Sequence, residues 1–180
     1  MKIIATEISG LIIIEPNLFF DPRGVFFKTF NKEVFSDLGL NTDWKEEYFS
    51  SSNKNVLRGL HFQIPPHDHV KLVTCVEGAV LDVVVDLRKN SASFKKVFSI
   101  ELNSSNRKQL LIPKGLAHGF LSLKKKSIMF YKVSSVYSQS SDSGILWNSI
   151  DFDWPIENPI ISSRDKSHQI LKFFNSPFLL

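Results

Sequence analysis

The sequence has 180 residues and a net charge of +4 at pH 7, and 43% of its residues are hydrophobic. This length is typical of one domain, which we take as residues 1–180, and an apolar fraction that includes sixteen Phe excludes a disordered chain. The single cysteine excludes an internal disulfide framework, and no apolar run approaches the ~18 residues that a membrane-spanning helix needs. No signal peptide is visible and the single cysteine suits a reducing compartment, so we expect a cytoplasmic protein. The net charge fits an anionic partner but does not choose between nucleic acid, nucleotide and membrane surface.

The first part of the chain alternates between short apolar runs and turn residues. Ile3–Ile4 and Leu11–Ile14 predict short strands. Asp21–Gly24 predicts a turn, because its proline fixes φ and its glycine is free to take a positive φ. Val25–Phe30 predicts the strand that follows, and Asn31 predicts the cap of a short helix.

The middle of the chain shows a side-chain period of two. Successive side chains point to opposite faces along Lys71–Glu77 and again along Val80–Leu87. The short link between the two segments predicts a hairpin. Further strands are predicted at Phe94–Leu102, Gln109–Ile112, Gly119–Leu123, Ile128–Ser134 and Ile145–Trp147. Short strands at this spacing predict an all-β sandwich or barrel, wrapped by loops and short helices after Trp154.

Two of the five histidines, His67 and His69, form a candidate metal pair. Side chains at i and i+2 of a strand share a face, so both rings can reach one ion, and His118 can add a third ligand. The alternative is an exposed polar loop, since no acidic ligand lies at an obvious spacing from the pair.

His61 lies between apolar neighbours, a setting that is also typical of a buried core histidine. A catalytic role requires a carboxylate to orient the ring, a cation to hold an anion, and an acid across the site. Asp165, Lys71 and Tyr131 can supply these groups, but spacing alone does not show that they converge.

Several segments resemble the dTDP-4-dehydrorhamnose 3,5-epimerase family. They are Asp21–Gly24, Arg58–Gln63, Lys71–Val73, Val83–Arg88, Ile112–Phe120, Tyr131-Lys132 with Tyr137, Asp153–Pro155 and Ser163–Asp165. The match covers most of the chain in one order, and the Arg-Gly-Leu-His block together with the Ala-His-Gly-Phe block makes it specific.

The resemblance implies a cupin-type β-jelly-roll with short peripheral helices and a C-terminal wrapping segment. It also implies a homodimer in which each nucleotide site borrows residues from the partner's N-terminal strands. The implied partner is a nucleotide-diphospho-4-keto-6-deoxy sugar, and neither a nucleic acid nor a membrane. The C4 ketone of this substrate acidifies the hydrogens on C3 and C5. Epimerisation needs a base on one face, an acid on the other and a cation at O4, and no cofactor or metal. Such products usually feed deoxysugar synthesis for surface polysaccharides such as the lipopolysaccharide O-antigen.

The resemblance also assigns roles to single positions. His61 matches the base, Asp165 the carboxylate that orients and charges it, Tyr131 the acid, and Lys71 the cation near O4. The Asp–His pair is expected to raise the basicity of the imidazole. The matching substrate-binding positions are Arg23, Phe26, Lys28, Glu46, Tyr48, Arg58, His118, Tyr137, Asp142 and Arg164.

Some of these binding positions have a more specific role in the family. Arg23 and Arg58 match diphosphate positions, where a guanidinium fork suits phosphate oxygens. Phe26 and Tyr137 match aromatic residues that stack on the base. His118 matches a second active-site histidine that donates to the sugar or to the enolate.

The chain departs from the family pattern at the nucleotide end. The family has Glu where this chain has Lys28, and a Gln-x-Asn pair where it has Glu46 and Tyr48. A carboxylate accepts the N3–H of thymine, whereas an ammonium group only donates and suits the acceptors of cytosine or guanine. We therefore predict a non-thymidine nucleotide, with CDP as the first candidate. Residue types do not encode whether C3, C5 or both are inverted.

Three alternatives stay open at this point. A 3,4-ketoisomerase of the same substrates needs similar proton transfers. A metal-dependent cupin would use His67, His69 and His118. A non-catalytic cupin that binds sugar nucleotides would not need the retained acid and base.

Overall fold

The computed structural model describes all 180 residues, and nearly all of its regular structure is β. The strands are β1 (Lys2–Ala5), β2 (Ile12–Glu15), β3 (Phe19–Asp21), β4 (Gly24–Phe26), β5 (Glu46–Asn53), β6 (Leu57–Gln63), β7 (Lys71–Glu77), β8 (Ala79–Asp86), β9 (Val97–Asn103), β10 (Gln109–Ile112), β11 (Leu116–Ser122), β12 (Lys126–Val133) and β13 (Asp142–Gly144). The helices are α1 (Lys32–Asp37), α2 (Ser163–Lys166) and a 3-10 turn at Leu171–Phe173. The all-β prediction is confirmed.

Two antiparallel sheets face each other and enclose the main core. One sheet has the order β1-β2-β10-β7-β12-β5, the other the order β13-β6-β11-β8-β9, and β3 with β4 forms a separate hairpin. The core between the sheets contains Val73, Cys75, Leu110 and Met129 from the first sheet and Val80, Val84, Leu102 and Phe120 from the second. Burial of each large apolar side chain contributes ~1.5–3 kcal/mol relative to exposure, so this layer holds the sheets together.

Each sheet is also covered on its outer face. The C-terminal segment packs Leu171 and Phe178 against Val83 and Val85 of the five-stranded sheet. The predicted wrapping role of the tail is thereby confirmed. On the six-stranded sheet, Phe35 of α1 is fully buried within a smaller apolar cluster.

The link at Gly78 changes sheets and does not form the predicted hairpin. β7 pairs with β10 and β12, whereas β8 pairs with β11 and β9. The prediction that Lys71–Glu77 and Val80–Leu87 form a hairpin is therefore wrong. Gly78 has a φ of +77°, and a Cβ there would stand 2.2 Å from the carbonyl oxygen of Lys126. The period of two shows which side chains share a face, but it does not show which strand lies alongside.

Other boundaries differ more modestly from the sequence predictions. The strand predicted over Val25–Phe30 ends at Phe26, because it belongs to a short hairpin around the predicted turn. Asn31 caps α1 as predicted, its Oδ1 accepting from the backbone N–H of Val34 at 3.1 Å. No strand forms at Ile145–Trp147. The strand β13 ends just before this segment, and Ile145 makes only an isolated bridge. β5 and β6 were not predicted. No helix has the length and apolarity that crossing a membrane requires.

Candidate active site

A pocket lies between the two sheets, and most of the predicted site residues line it. His61 of β6 and His118 of β11 enter it from the five-stranded sheet, whereas Lys71 of β7 and Tyr131 of β12 enter it from the six-stranded sheet. The other predicted residues in its wall are Glu46, Tyr48, Arg58, Tyr137, Asp142 and Arg164. Sequence spacing alone could not show that these residues converge. The topology brings them together, because the two facing sheets direct their inner side chains into the same pocket.

His61 is held from behind by Asp165. The ring Nε2 lies 2.8 Å from Asp165 Oδ1, and the other carboxylate oxygen accepts from the backbone N–H of Gly59 at 3.0 Å. Burial opposes ionisation of Asp165, but the hydrogen bonds to His61 and Gly59 outweigh it and bring its pKa to about 2. An ionised carboxylate only accepts, so His61 Nε2 carries the hydrogen and Nδ1 holds the free lone pair.

The expected gain in His61 basicity is not the net result. Burial lowers the pKa of His61, and it outweighs the opposing hydrogen bond and charge of Asp165. The contribution of Asp165 thus has the expected sign, but the net shift of the His61 pKa is downward, because burial makes an imidazolium costly at this position. The consequence suits a base, since His61 is neutral at neutral pH.

Lys71 is a buried cation on the floor of the pocket. Its side chain is 7% exposed, and its Nζ donates to the carbonyl oxygen of His61 at 3.2 Å. Burial lowers the pKa of Lys71 to about 8, although the carboxylates of Asp142 and Asp82 act in the opposite direction. The ammonium group is therefore still charged at neutral pH.

His118 forms a second histidine–carboxylate pair, with a residue that the sequence analysis missed. Its Nε2 lies 3.0 and 2.9 Å from the two oxygens of Asp82, which is fully buried. β11 pairs with β6 so that His118 stands opposite His61. The structure shows that Asp82 shares the inner face of β8 with Val80 and Val84, so the available signal was a carboxylate in an apolar alternating strand.

Tyr131 lies across the pocket from these histidines. The ring of Tyr48 stacks on it with centroids 4.7 Å apart and planes inclined by 18°, since the two residues are paired in adjacent strands. The Tyr131 hydroxyl lies 3.2 Å from Ser50 Oγ. Burial raises the pKa of Tyr131, so the phenol is protonated at neutral pH, as an acid must be.

The mouth of the pocket carries a chain of polar contacts. The backbone N–H of Tyr137 donates to Glu46 at 2.9 Å, and its hydroxyl donates to Asp142 at 3.3 Å. Arg164 donates to the other oxygen of Asp142 at 2.7 Å. Arg58 is held by Ser52 Oγ at 2.9 Å. These contacts fix the rim in place before any ligand arrives.

Three predicted residues do not reach the pocket of their own chain. Arg23, Phe26 and Lys28 belong to the β3–β4 hairpin or to the residues just after it, and all three are exposed. Arg23 pairs with Asp21 of its own turn, and its side chain is 91% exposed. One chain therefore assembles the buried part of the pocket, but it does not bring these three predicted nucleotide-binding residues to it.

A polar cluster in the pocket wall was also missed. Gln63 donates to the carbonyl oxygens of His67 and Val136 at 2.8 and 3.2 Å and also contacts His69 and Ser135. Burial, together with the charges of nearby lysines, lowers the pKa of His69 to about 3. His69 therefore stays neutral and acts as part of this network.

The structure does not bring His67, His69 and His118 together as a ligand set. Only His61, Asp165 and His168 place three His or acidic ligand atoms within 4.8 Å of one another. The three histidines are not assembled because β7 begins beyond the His67-x-His69 pair and His69 is drawn into the Gln63 network.

Comparison with known proteins gives consistent matches over nearly the whole chain. The family model described as dTDP-4-dehydrorhamnose 3,5-epimerase matches residues 5–172. The dTDP-4-dehydrorhamnose 3,5-epimerase of Escherichia coli K12 is 46% identical over 166 residues, which cover 91% of this chain and 90% of that protein. The Shigella flexneri enzyme of the same name is 42% identical over the full length of both.

A solved structure shows the same architecture. It is the dTDP-6-deoxy-D-glucose-3,5-epimerase of Legionella pneumophila in complex with dTDP-4-keto-L-rhamnose. It superposes with a TM-score of 0.94 at 34% identity, covering 99% of this chain and 98% of that chain. This agreement confirms the predicted cupin-type jelly roll.

Proposed function

The chain belongs to the dTDP-4-dehydrorhamnose 3,5-epimerase family of isomerases, and on that premise we propose that it inverts C3 and C5 of a dTDP-linked 4-keto-6-deoxyhexose in deoxysugar biosynthesis. The observation that carries the proposal is the placement of His61 and Tyr131 on facing sheets across one pocket. Lys71, on the strand next to that of Tyr131, reaches across to the backbone carbonyl of His61. A sugar ring bound there meets a neutral base on one side and a protonated acid on the other.

The first step is removal of a proton from C3 or C5. The lone pair of His61 Nδ1 takes it, and the electron pair of the C–H bond moves into an enolate with its charge on O4. Asp165 supports this step, because a carboxylate 2.8 Å from Nε2 stabilises the imidazolium that forms. The same contact keeps the base in one tautomer and one orientation.

Lys71 stabilises the enolate oxygen. A buried ammonium group interacts strongly with a developing negative charge, because little water screens the pair. His118, anchored by Asp82, is the second group that we place near the sugar. Neither group requires a cofactor.

Tyr131 completes the inversion by returning a proton to the opposite face of the carbon. The phenol is the acid, and the enolate collapses to the ketone as the new C–H bond forms. Tyr48 stacks on the ring of Tyr131, which limits the positions that the phenol can take.

We assign the nucleotide end to two chains. The β3–β4 hairpin exposes Phe19 and Phe26 and carries Arg23, yet it pairs with no other strand of its own chain. In a homodimer the partner's hairpin would bring these residues to the mouth of the pocket, where they bind the diphosphate and the base. The relatives are named for dTDP sugars, so we propose dTDP in place of the CDP expected from Lys28.

The test is proton exchange in deuterated water with the 4-keto-6-deoxyhexoses of dTDP, CDP, GDP and UDP. We expect loss of the C3 and C5 proton signals, fastest with the dTDP sugar, and products inverted at both carbons. Movement of the ketone to C3 would instead identify a 3,4-ketoisomerase. Binding without any exchange would identify a non-catalytic module and refute the proposal.

A further inference from the structure

Tyr131 has a single hydrogen-bond partner in the protein, and that partner has no role in the mechanism so far. Ser50 Oγ lies 3.2 Å from the Tyr131 hydroxyl, and no other group hydrogen bonds the phenol. The ring of Tyr48 covers one face of Tyr131 with centroids 4.7 Å apart. The hydroxyl of Ser50 is thus the only protein group in position to exchange a proton directly with the acid.

This inference rests on the proposed epimerase reaction, which leaves the base protonated and the acid deprotonated. Each inversion gives one proton to His61 and takes one from Tyr131. The product state therefore holds an imidazolium and a phenolate. Burial raises the pKa of Tyr131, so a lasting phenolate is costly, and the acid must be recharged before another inversion.

The position of Ser50 suits a route for that proton. β5 is the last strand of its sheet, and Ser50 on its inner face is half-buried and lines the pocket. Ser50 therefore stands between the buried phenol and water, whereas Tyr131 itself is only 7% exposed. A hydroxyl both donates and accepts, so it can pass a proton without changing its own charge.

We propose that Ser50 is the proton-return residue for Tyr131. The Ser50 O–H bond breaks as its proton moves to the phenolate oxygen, and a new O–H bond forms with a proton taken from water. The proton that His61 acquired leaves to solvent, so that the cycle is balanced. Ser50 acts after the chemical step and does not touch the carbon that is inverted.

The matched variants are Ser50→Val and Ser50→Thr, which have nearly the same shape but differ in the hydroxyl. Tyr131 begins protonated, so the first inversion by Ser50→Val is expected at the unaltered rate. Later inversions should slow by about 10²-fold, the scale of a lost proton transfer, giving a burst followed by a slow phase. Ser50→Thr should show no burst. The reaction is followed with enzyme and dTDP-4-keto-6-deoxyglucose at comparable concentrations.

Two further measurements separate the possible results. Exchange of the first substrate proton in deuterated water reports on His61 and should be unchanged in Ser50→Val. A Ser50→Val steady-state rate equal to that of the unaltered protein would overturn the relay, as would slowing of the first inversion to the same extent as the later ones. Ser50→Ala, which leaves room for a water, should fall between the two variants. Lack of any exchange in the unaltered protein would refute the epimerase proposal itself.

Discussion

The two ends of the site are built in different ways. At the sugar end, Lys71, His118, Tyr131 and Asp165 are each less than 10% exposed and come from elements that the cores fix in place. At the nucleotide end, Phe26 is 59% exposed on a hairpin that pairs only with itself. The difference teaches that one chain organises the buried pocket and its rim, whereas the hairpin residues Arg23 and Phe26 do not reach that pocket within their own chain.

The strongest test of the sugar end is removal of its base. His61→Ala should lower kcat by roughly 10³-fold, because a positioned general base contributes on that scale. Its melting temperature should change little, since the His61 side chain is 28% exposed and lies outside the apolar cores. The control is His67→Ala, whose side chain does not line the pocket. An active His61→Ala protein would show that another group is the base.

The orienting carboxylate should have the next largest effect. Asp165→Asn keeps a hydrogen-bonding side chain but removes the charge that stabilises the imidazolium, so kcat should fall by roughly 10²-fold. The KM should change little, because Asp165 lies behind His61 and away from the substrate. A variant with normal kcat would mean that the ring is held by its other contacts alone.

The pH profile should show the buried cation. Lys71 acts in its charged form and has a pKa of about 8, so kcat/KM should fall about tenfold for each pH unit above that value. Below neutral pH the rate should fall as His61 becomes protonated. Lys71→Arg keeps the charge at high pH and should move the descending limb upward. A descending limb that stays near pH 8 in this variant would assign it to another group.

The nucleotide end is tested by complementation between two defective chains. Arg23→Ala alone should raise KM with little loss of kcat. In dimers formed at random with His61→Ala chains, half are mixed, and each mixed dimer holds one intact site only if Arg23 serves the partner's pocket. The mixture should then recover about a quarter of the unaltered activity at low substrate. No recovery would place Arg23 in the pocket of its own chain.

The smallest expected effect concerns recognition of the nucleobase. Lys28→Glu restores the residue found in the family and should change dTDP affinity by only about threefold, which corresponds to less than 1 kcal/mol. Calorimetry with dTDP, CDP, GDP and UDP measures the order of affinities for both proteins. Tightest binding of CDP by the unaltered chain would reinstate the sequence-based choice of nucleotide.

The sequence located the residues of the candidate site better than it predicted the strand pairing. Resemblance identified His61, Lys71 and Tyr131, and the structure brings all three to one pocket. Alternation along Lys71–Glu77 separated the two faces of the strand, but it could not show that Gly78 leads into the opposite sheet.

What was missed has a physical reason in each case. The polar run Ser50–Asn53 hid the edge strand β5, because an edge strand is not required to be apolar on both faces. The pairing of Asp82 with His118 was missed, since the contact joins residues far apart in the chain.

The position of Asp165 has a consequence for how the molecule is made. It lies 104 residues after His61, on the short helix that precedes the covering tail. During synthesis on the ribosome, the strand that bears His61 emerges long before its carboxylate exists. The base is therefore completed among the last long-range contacts of folding, and incomplete chains would carry the pocket wall without the pair that activates it.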